Sequence, residues 1–324
     1  MVHQEAIRAI GEKVLRGRSL SESDALFLSD VSGSFIFDLF SSANKVREHF
    51  RGEKIGLCSI VNAKSGACTE DCSFCAQSKY SKAQIESYPL LPAEALFQKT
   101  IQIKKYGIKR FSIVTSGRKI AKKDLLSVAA IIPEIRKQGL LPCASLGLLK
   151  KNDLSQLQEA GLDRYHNNLE TSVGFFRQIC TSHQYADKIR TIEAAKSAGL
   201  SVCSGGIFGM GETWKDRIDL AFTLKDLDVD SVPINFLVPI KGTPLEHKGF
   251  LHPFEALKII SLFRFILPRK EIRICGGRMQ ILGDFHSMIF LAGADGMITG
   301  NYLTTSGMSP EDDVRLIKML GFTV

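Results

Sequence analysis

Two rhythms of hydrophobic and polar positions alternate along this 324-residue chain. Short continuous apolar runs bounded by turn residues read as buried strands at 56–62, 109–115, 140–146, 163–169, 200–207, 231–237, 271–275 and 295–299. Between them, helical periodicity covers 93–106, 122–138, 152–160, 184–198, 213–226, 254–265, 282–292 and 311–320. Several helical segments stop at a glycine, namely Gly107, Gly139, Gly161, Gly199 and Gly321, as helix C-termini do. Eight strands in strict alternation with eight helices predict an α/β fold, a closed parallel (β/α)8 TIM-type barrel. An open doubly wound sheet is the competing arrangement, but no G-x-G-x-x-G turn follows the first strand.

Ahead of the first strand, Ser21 to Asp24 form an N-terminal capping signal, and Phe35, Leu39 and Ala43 recur at helical spacing. No Pro/Gly/Ser linker separates this region from the first strand, so residues 1–52 read as an N-terminal helical extension and 53–324 as the barrel. Hydrophobic residues make up 44% of the chain, enough for a packed core. No apolar run approaches the ~18 residues that a membrane span requires, and the polar start, Met1 to Glu5, lacks a signal-peptide core. A cytoplasmic protein without membrane partners is expected.

Charge changes this picture little. The net charge is +8, and Lys104, Lys105, Lys109, Arg110, Arg118, Lys119, Lys122 and Lys123 concentrate part of it. They fall at helix ends and in a following loop without interleaved stacking aromatics, so they read as a solvated face and no nucleic-acid partner is expected. The eight cysteines, without an export signal, argue for reduced thiols and metal ligation rather than a disulfide framework.

Three of those cysteines carry the chemistry. Cys68, Cys72 and Cys75 are spaced C-x3-C-x2-C in the loop after the first strand, where a barrel places functional groups. So short a loop brings three thiolates onto one face of a metal cluster and leaves a fourth position open, whereas electron carriers and structural zinc sites close all four. A zinc knuckle or three unrelated buried cysteines are the plainer readings. Further on, Gly205 to Glu212 form a glycine-rich turn that lets backbone approach a flat ligand, with Glu212 and Thr213 able to cap the next helix. Arg273 and Cys275, two apart in a strand, share a face with each other. A buried arginine there needs a counter-charge, which an anionic thiolate-ligated cluster would supply.

The C-x3-C-x2-C spacing resembles that of the radical S-adenosylmethionine enzymes. The ordered stretches Cys68 to Ser78, RYHNNL at 164–169, VCSGG at 202–206, VPINF at 232–236, KGTP at 241–244, IRICGGR at 272–278 and LTT at 303–305 are similar to the biotin synthase family from about residue 50 onward. The resemblance implies a [4Fe-4S] cluster on Cys68, Cys72 and Cys75, with S-adenosylmethionine on the open iron as the source of a 5'-deoxyadenosyl radical. It places Phe74, Asn168, Glu170, Lys188, Gly205, Ile207 and Glu212 around that cofactor, with Glu170 on the ribose diol. Lys64, Asn168, Asn235, Thr304 and Thr305 would meet dethiobiotin, the threonines at its carboxylate. Cys143, Cys203 and Arg273 would ligate an auxiliary iron–sulfur cluster that supplies the sulfur. A flavoprotein or ferredoxin as electron donor and a homodimer are implied as well.

The chain departs from that family where the auxiliary cluster is held. Ser112 stands where a cysteine is usual, His166 where an asparagine is usual, and Lys188 where an arginine often is, replacing a planar fork by a point charge. Cys58 shares strand parity with Ile60 and Asn62, so Cys58, Cys143, Cys203 and Cys275 are expected to converge inside the barrel as an alternative ligand set. They would support a [2Fe-2S] or a larger cluster, with Ser112 beside it. Cys180, in an exposed-looking polar context, is read as non-ligating. Another radical enzyme of this group acting on a different small acid, and a non-catalytic electron carrier, are the alternatives.

Overall fold

The computed structural model describes residues 2–324. Nine strands form one parallel sheet: β1 Gly56–Lys64, β2 Arg110–Thr115, β3 Leu141–Ser145, β4 Arg164–His166, β5 Ser201–Cys203, β6 Gly206–Phe208, β7 Ser231–Phe236, β8 Glu271–Ile274 and β9 Gly296–Ile298. β1 pairs with both β2 and β9, and the pairing of β5 with β7 at Cys203 and Ser231 closes the sheet. β5 and β6 share one stave, so the barrel has the eight-fold alternation that the periodicity predicts. These strands are buried along most of their length because helices cover their outer face while side chains fill the inside.

The helices are α1 Val2–Leu15, α2 Glu22–Asp30, α3 Phe35–Arg51, α4 Ala93–Lys104, α5 Lys122–Lys137, α6 Lys151–Glu159, α7 Val173–Ile179, α8 Tyr185–Ser197, α9 Trp214–Asp226, α10 Pro253–Ile266, α11 Arg278–Leu282 and α12 Pro310–Met319. Ser21 and Asp24 form the expected capping box of α2. Helix α3 buries Leu39, Phe40, Ala43 and Val46, and packs on α10, with the Phe40 and Phe254 rings stacked 6.2 Å apart. Among the described residues no helix is long and apolar enough to cross a membrane.

Three local expectations fail for physical reasons. The strand expected at 200–207 breaks at Ser204 and Gly205, because Asn168 Oδ1 takes the Gly205 N–H at 3.2 Å and Ser204 N turns to Ser231 O at 3.0 Å. Gly205 is required there, since a Cβ would lie 1.9 Å from the Pro233 carbonyl oxygen. The helix expected at 282–292 is instead α11 followed by a 3-10 turn at Gly283–Ile289, with Gly283 at φ +49°. The run 173–179, inside what reads as a loop, is helical because Ser172 Oγ caps it, accepting from Phe175 N at 3.0 Å.

Candidate active site

A cavity of about 430 Å³ opens at the C-terminal end of the strands. Cys68, Cys72, Phe74 and Cys75 reach it from the loop after β1. Backbone bonds fix this loop: Cys68 N donates to Gln77 O at 3.1 Å, Lys79 N to Cys68 O at 2.8 Å and Cys75 N to Cys72 O at 3.0 Å. All three thiols are free. Burial and the nearby Cys68 and Glu170 push the Cys75 thiol up, a cost that a bound cation would reverse.

A second segment clasps this loop from the other side. Asp71 Oδ1 accepts from Thr181 N and Ser182 N, each at 3.0 Å, and Ser73 N donates to Ile179 O at 2.8 Å. Glu70 Oε2 accepts from Ser182 Oγ at 2.8 Å and lies 2.5 Å from His183 Nδ1. Burial would raise Asp71, but the hydrogen bonds from Thr181 and Ser182 outweigh it and hold the carboxyl well below its usual range. Cys180, expected to be exposed, is only 2% exposed and its sulfur lies 3.8 Å from that of Cys72. Its polar neighbours serve the two loop carboxylates rather than solvent.

Across the cavity stand Asn168, Glu170, Lys188 and Ile207. Glu170 sits at φ +73° with a buried, unpartnered Oε2, and burial raises its carboxyl despite Lys188 and Asn168. That orphaned oxygen suits a ligand diol, whose hydroxyls would donate to it. Lys188 Nζ donates to Asn168 O at 2.9 Å. A Cβ at Gly206 would lie 2.5 Å from Glu170 O, so the glycine-rich turn lets these walls approach. Asn235 is on the floor, bracing Gly276 N at 3.0 Å and Gly206 O at 3.2 Å. Thr304 and Thr305 line the rim, in the loop after β9, where Asn62 Nδ2 holds Leu303 O at 3.2 Å.

Three expected contributors, Gly205, Glu212 and Lys64, do not line the cavity, and Gly205 instead packs on the Pro233 carbonyl behind it. Glu212 is turned away from the cavity: its carboxylate accepts from Gly209 N at 2.9 Å and Met210 N at 2.8 Å and pairs with Arg217 at 2.8 Å. It holds the glycine loop from behind, and the cap of α9 is Thr213 with Asp216 instead. Lys64 leaves the cavity for a neighbouring pocket and faces Asp124 at 3.6 Å.

Cys275 lines the cavity itself, and Cys58, Cys143 and Cys203 lie in the barrel interior, all four buried. Cys58 is near enough to Cys143 and to Cys275, and Cys203 to Cys275, to disfavour their thiolates. Burial and neighbouring Cys58 push the Cys143 thiol up to about 12, and burial, Cys203 and Cys58 raise Cys275 despite Arg273. Ser112 is fully buried beside Cys143 on the adjacent strand, its Oγ unpartnered. His166 is kept neutral, its imidazole lowered to about 3 by burial and by Arg164, Arg273 and Arg110. Arg273 has one counter-charge within the protein itself: Nη2 pairs with Glu271, while Nη1 has no partner. Arg110, expected on a solvated face, also points inward, pairing with Asp163 and approaching Cys143 Sγ at 3.7 Å.

Residues 63–224 match the Radical SAM superfamily, and residues 233–323 match the Biotin and Thiamin Synthesis associated domain. The biotin synthase of Thermodesulfovibrio yellowstonii is 53% identical over 92% of this chain and 94% of its own length. The chain belongs to the biotin synthase family. The biotin synthase of Heliobacterium modesticaldum is 48% identical, covering 99% of both chains. Among solved structures, methylornithine synthase superposes with a TM-score of 0.85 over 97% of this chain and 96% of its own, at 23% identity. The FeFe-hydrogenase maturase of Carboxydothermus hydrogenoformans gives 0.82 over 98% and 79%, at 20% identity. Both likenesses concern the fold.

Membership in this family brings a [4Fe-4S] cluster and S-adenosylmethionine as cofactors, and the residues present fit them: three free thiols on one loop face a cavity with an orphaned carboxylate oxygen opposite. Sequence reasoning missed Asp71, Cys180 and His183, because the clasp joins positions more than a hundred residues apart. It also missed Arg164 and Glu271, although arginine and glutamate in otherwise apolar strands are a readable signal that charges pair inside a barrel.

Proposed function

We propose that this member of the biotin synthase family inserts sulfur into dethiobiotin by radical chemistry, with the barrel at 53–324 as the catalytic unit. What carries the reading is the juxtaposition of two thiol sets, three on the mouth loop and four buried in the barrel, of which Cys275 lines the same cavity. A [4Fe-4S] cluster held by Cys68, Cys72 and Cys75 together with S-adenosylmethionine would supply the hydrogen-abstracting radical, and an auxiliary iron–sulfur cluster would supply the sulfur.

The chain's own part is binding, orientation and exclusion of water. Glu170 accepts from the ribose hydroxyls, Lys188 offers its charge to the methionine carboxylate, and Phe74 and Ile207 give the nucleoside apolar walls. Asn168 and Asn235, whose side chains already brace backbone, fix the floor on which dethiobiotin lies. Thr304 and Thr305 donate to the dethiobiotin carboxylate at the rim. The departure at Ser112 is met by assigning Cys58, Cys143, Cys203 and Cys275 to the auxiliary cluster, [2Fe-2S] or larger, with Arg273 as ligand or adjacent cation. A flavoprotein or ferredoxin donor, a homodimer and a cytoplasmic setting complete the proposal.

Anaerobic reconstitution, iron and sulfide counting and an assay with dethiobiotin and S-adenosylmethionine test it. Biotin and 5'-deoxyadenosine are the expected products. 5'-Deoxyadenosine without biotin would point to another small acid as substrate. In the same experiment Cys275→Ala should alter the auxiliary-cluster spectrum while leaving the mouth cluster unchanged. Replacing both Thr304 and Thr305 by Val should raise KM for dethiobiotin more than about tenfold, since a hydrogen bond to a charged group is worth about 1.5–3 kcal/mol. An unchanged KM would remove them from the site.

A further inference from the structure

A second pocket, of about 800 Å³, adjoins the mouth of the barrel. Lys64, Arg118, Lys119, Lys150, Lys151 and Arg190 line it, and among the described residues Asp187 is its sole lining carboxylate. Ion pairs with Asp124, Asp153 and Asp187 partly neutralise four of these six. Lys150 and Lys151 are exposed and, among the described residues, have no acidic partner. The face therefore keeps an excess of positive charge that nothing in the proposed reaction uses.

Its place relative to the cysteines matters. Ala67 and Thr69, both exposed, line this pocket and are the immediate neighbours of Cys68, which lines the cavity. Gly117, Arg118 and Leu148 line both spaces. The basic face thus runs up to the residues on either side of a cluster ligand. The wall is built of long, solvated side chains, with none of the pocket's lining residues contributing a buried unpartnered polar atom. That suits an extended acidic surface better than a small anion, which would need a closed, fixed set of donors.

We propose that this face docks a small acidic one-electron carrier protein. The inference rests on reading Cys68, Cys72 and Cys75 as ligands of a reducible cluster. On encounter one electron leaves the carrier, which is oxidised by one equivalent, and enters the cluster; no bond forms or breaks and no proton moves. The lysines and arginines steer the acidic partner and hold it over Ala67 and Thr69, where the path to Cys68 is shortest.

The test is the double variant Lys150→Glu/Lys151→Glu. These positions are the N-cap and first residue of α6, where glutamate complements the helix dipole, so the fold is retained. Cluster-loaded protein is mixed with a pre-reduced acidic ferredoxin, and reduction is followed by the cluster's visible absorbance at low and high salt. The wild type should be reduced faster at low salt. The variant should be about tenfold slower or more at low salt and nearly insensitive to salt. Methyl viologen radical cation, which has no acidic surface, should reduce the variant no more slowly than the wild type. A variant that keeps the wild-type ferredoxin rate and salt dependence overturns the proposal, as does one that loses the viologen rate equally. Failure of viologen to reduce the wild type overturns the reading of the cysteines, and the docking proposal with it.

Discussion

Replacing Cys68, Cys72 or Cys75 singly by alanine is expected to bring reductive cleavage of S-adenosylmethionine to background while leaving the barrel folded. Three ligands are the minimum that holds a cluster with one iron open to a second molecule, and two cannot keep that iron placed. The fold survives because the loop is shaped by backbone bonds around Cys68, Cys72 and Gln77 and by the Asp71 clasp, none of which uses a thiol. The measurement is 5'-deoxyadenosine formed per chain after anaerobic reconstitution, together with iron and sulfide content. Cys72→Ala carries an internal check, since Cys180 lies 3.8 Å away and can lend a sulfur to stray iron. Iron held at the mouth in that variant should disappear in Cys72→Ala/Cys180→Ala, leaving only what the interior thiols hold. Full cleavage by any of the single variants would remove the three cysteines from the reaction.

How much of this molecule can be read from its sequence depends on the range of the interaction. The strands at 56, 110, 141, 231, 271 and 296 begin within a residue of where their apolar runs begin, because a parallel strand covered by helices has no need of a polar face. The three mouth cysteines are legible because a metal imposes its geometry on neighbours in the chain. Cys58 and Cys275 are legible by strand parity, which carries a side chain to the same interior whatever lies between. Glu212 is misread because the same carboxylate position serves equally well to brace a loop from behind, and nothing local distinguishes the two faces of a turn.

The break between β5 and β6 is set by Asn168, far away in the chain, which takes the N–H of Gly205 that a regular strand would use. Position 180 is misread for a related reason. Thr181, Ser182 and His183 are polar, and polar runs usually face water, yet here they are spent on Glu70 and Asp71. Arg110 is misread because the lysines before it form a solvated cluster, while the strand that begins at Arg110 turns this one side chain inward to Asp163 and Cys143.

Loss of Glu271 should be the most destabilising single change in the barrel interior. Its carboxylate accepts from Arg164 Nη1 at 2.6 Å and from Arg273 Nη2, and Gly56 makes room for it, since a Cβ there would lie 2.8 Å from Glu271 Oε1. Burial alone would raise this carboxyl, but Arg273 and Arg164 outweigh burial and hold it well below its ordinary 4.5. Glu271→Ala leaves two guanidinium groups unpaired beneath four thiols, and removal of one partner from a buried charge network costs about 3–5 kcal/mol. The urea midpoint should fall accordingly at neutral pH. Because the native carboxyl titrates below the unfolded one, the ion pairs contribute fully above about pH 4.5 and are lost as pH falls through the depressed native value. The gap in stability between wild type and Glu271→Ala should therefore stay constant from neutrality down to that point and narrow on further acidification. An unshifted midpoint at neutral pH would mean that Arg164 and Arg273 find other partners. A gap that widens in acid would mean that the carboxylate is not what holds them.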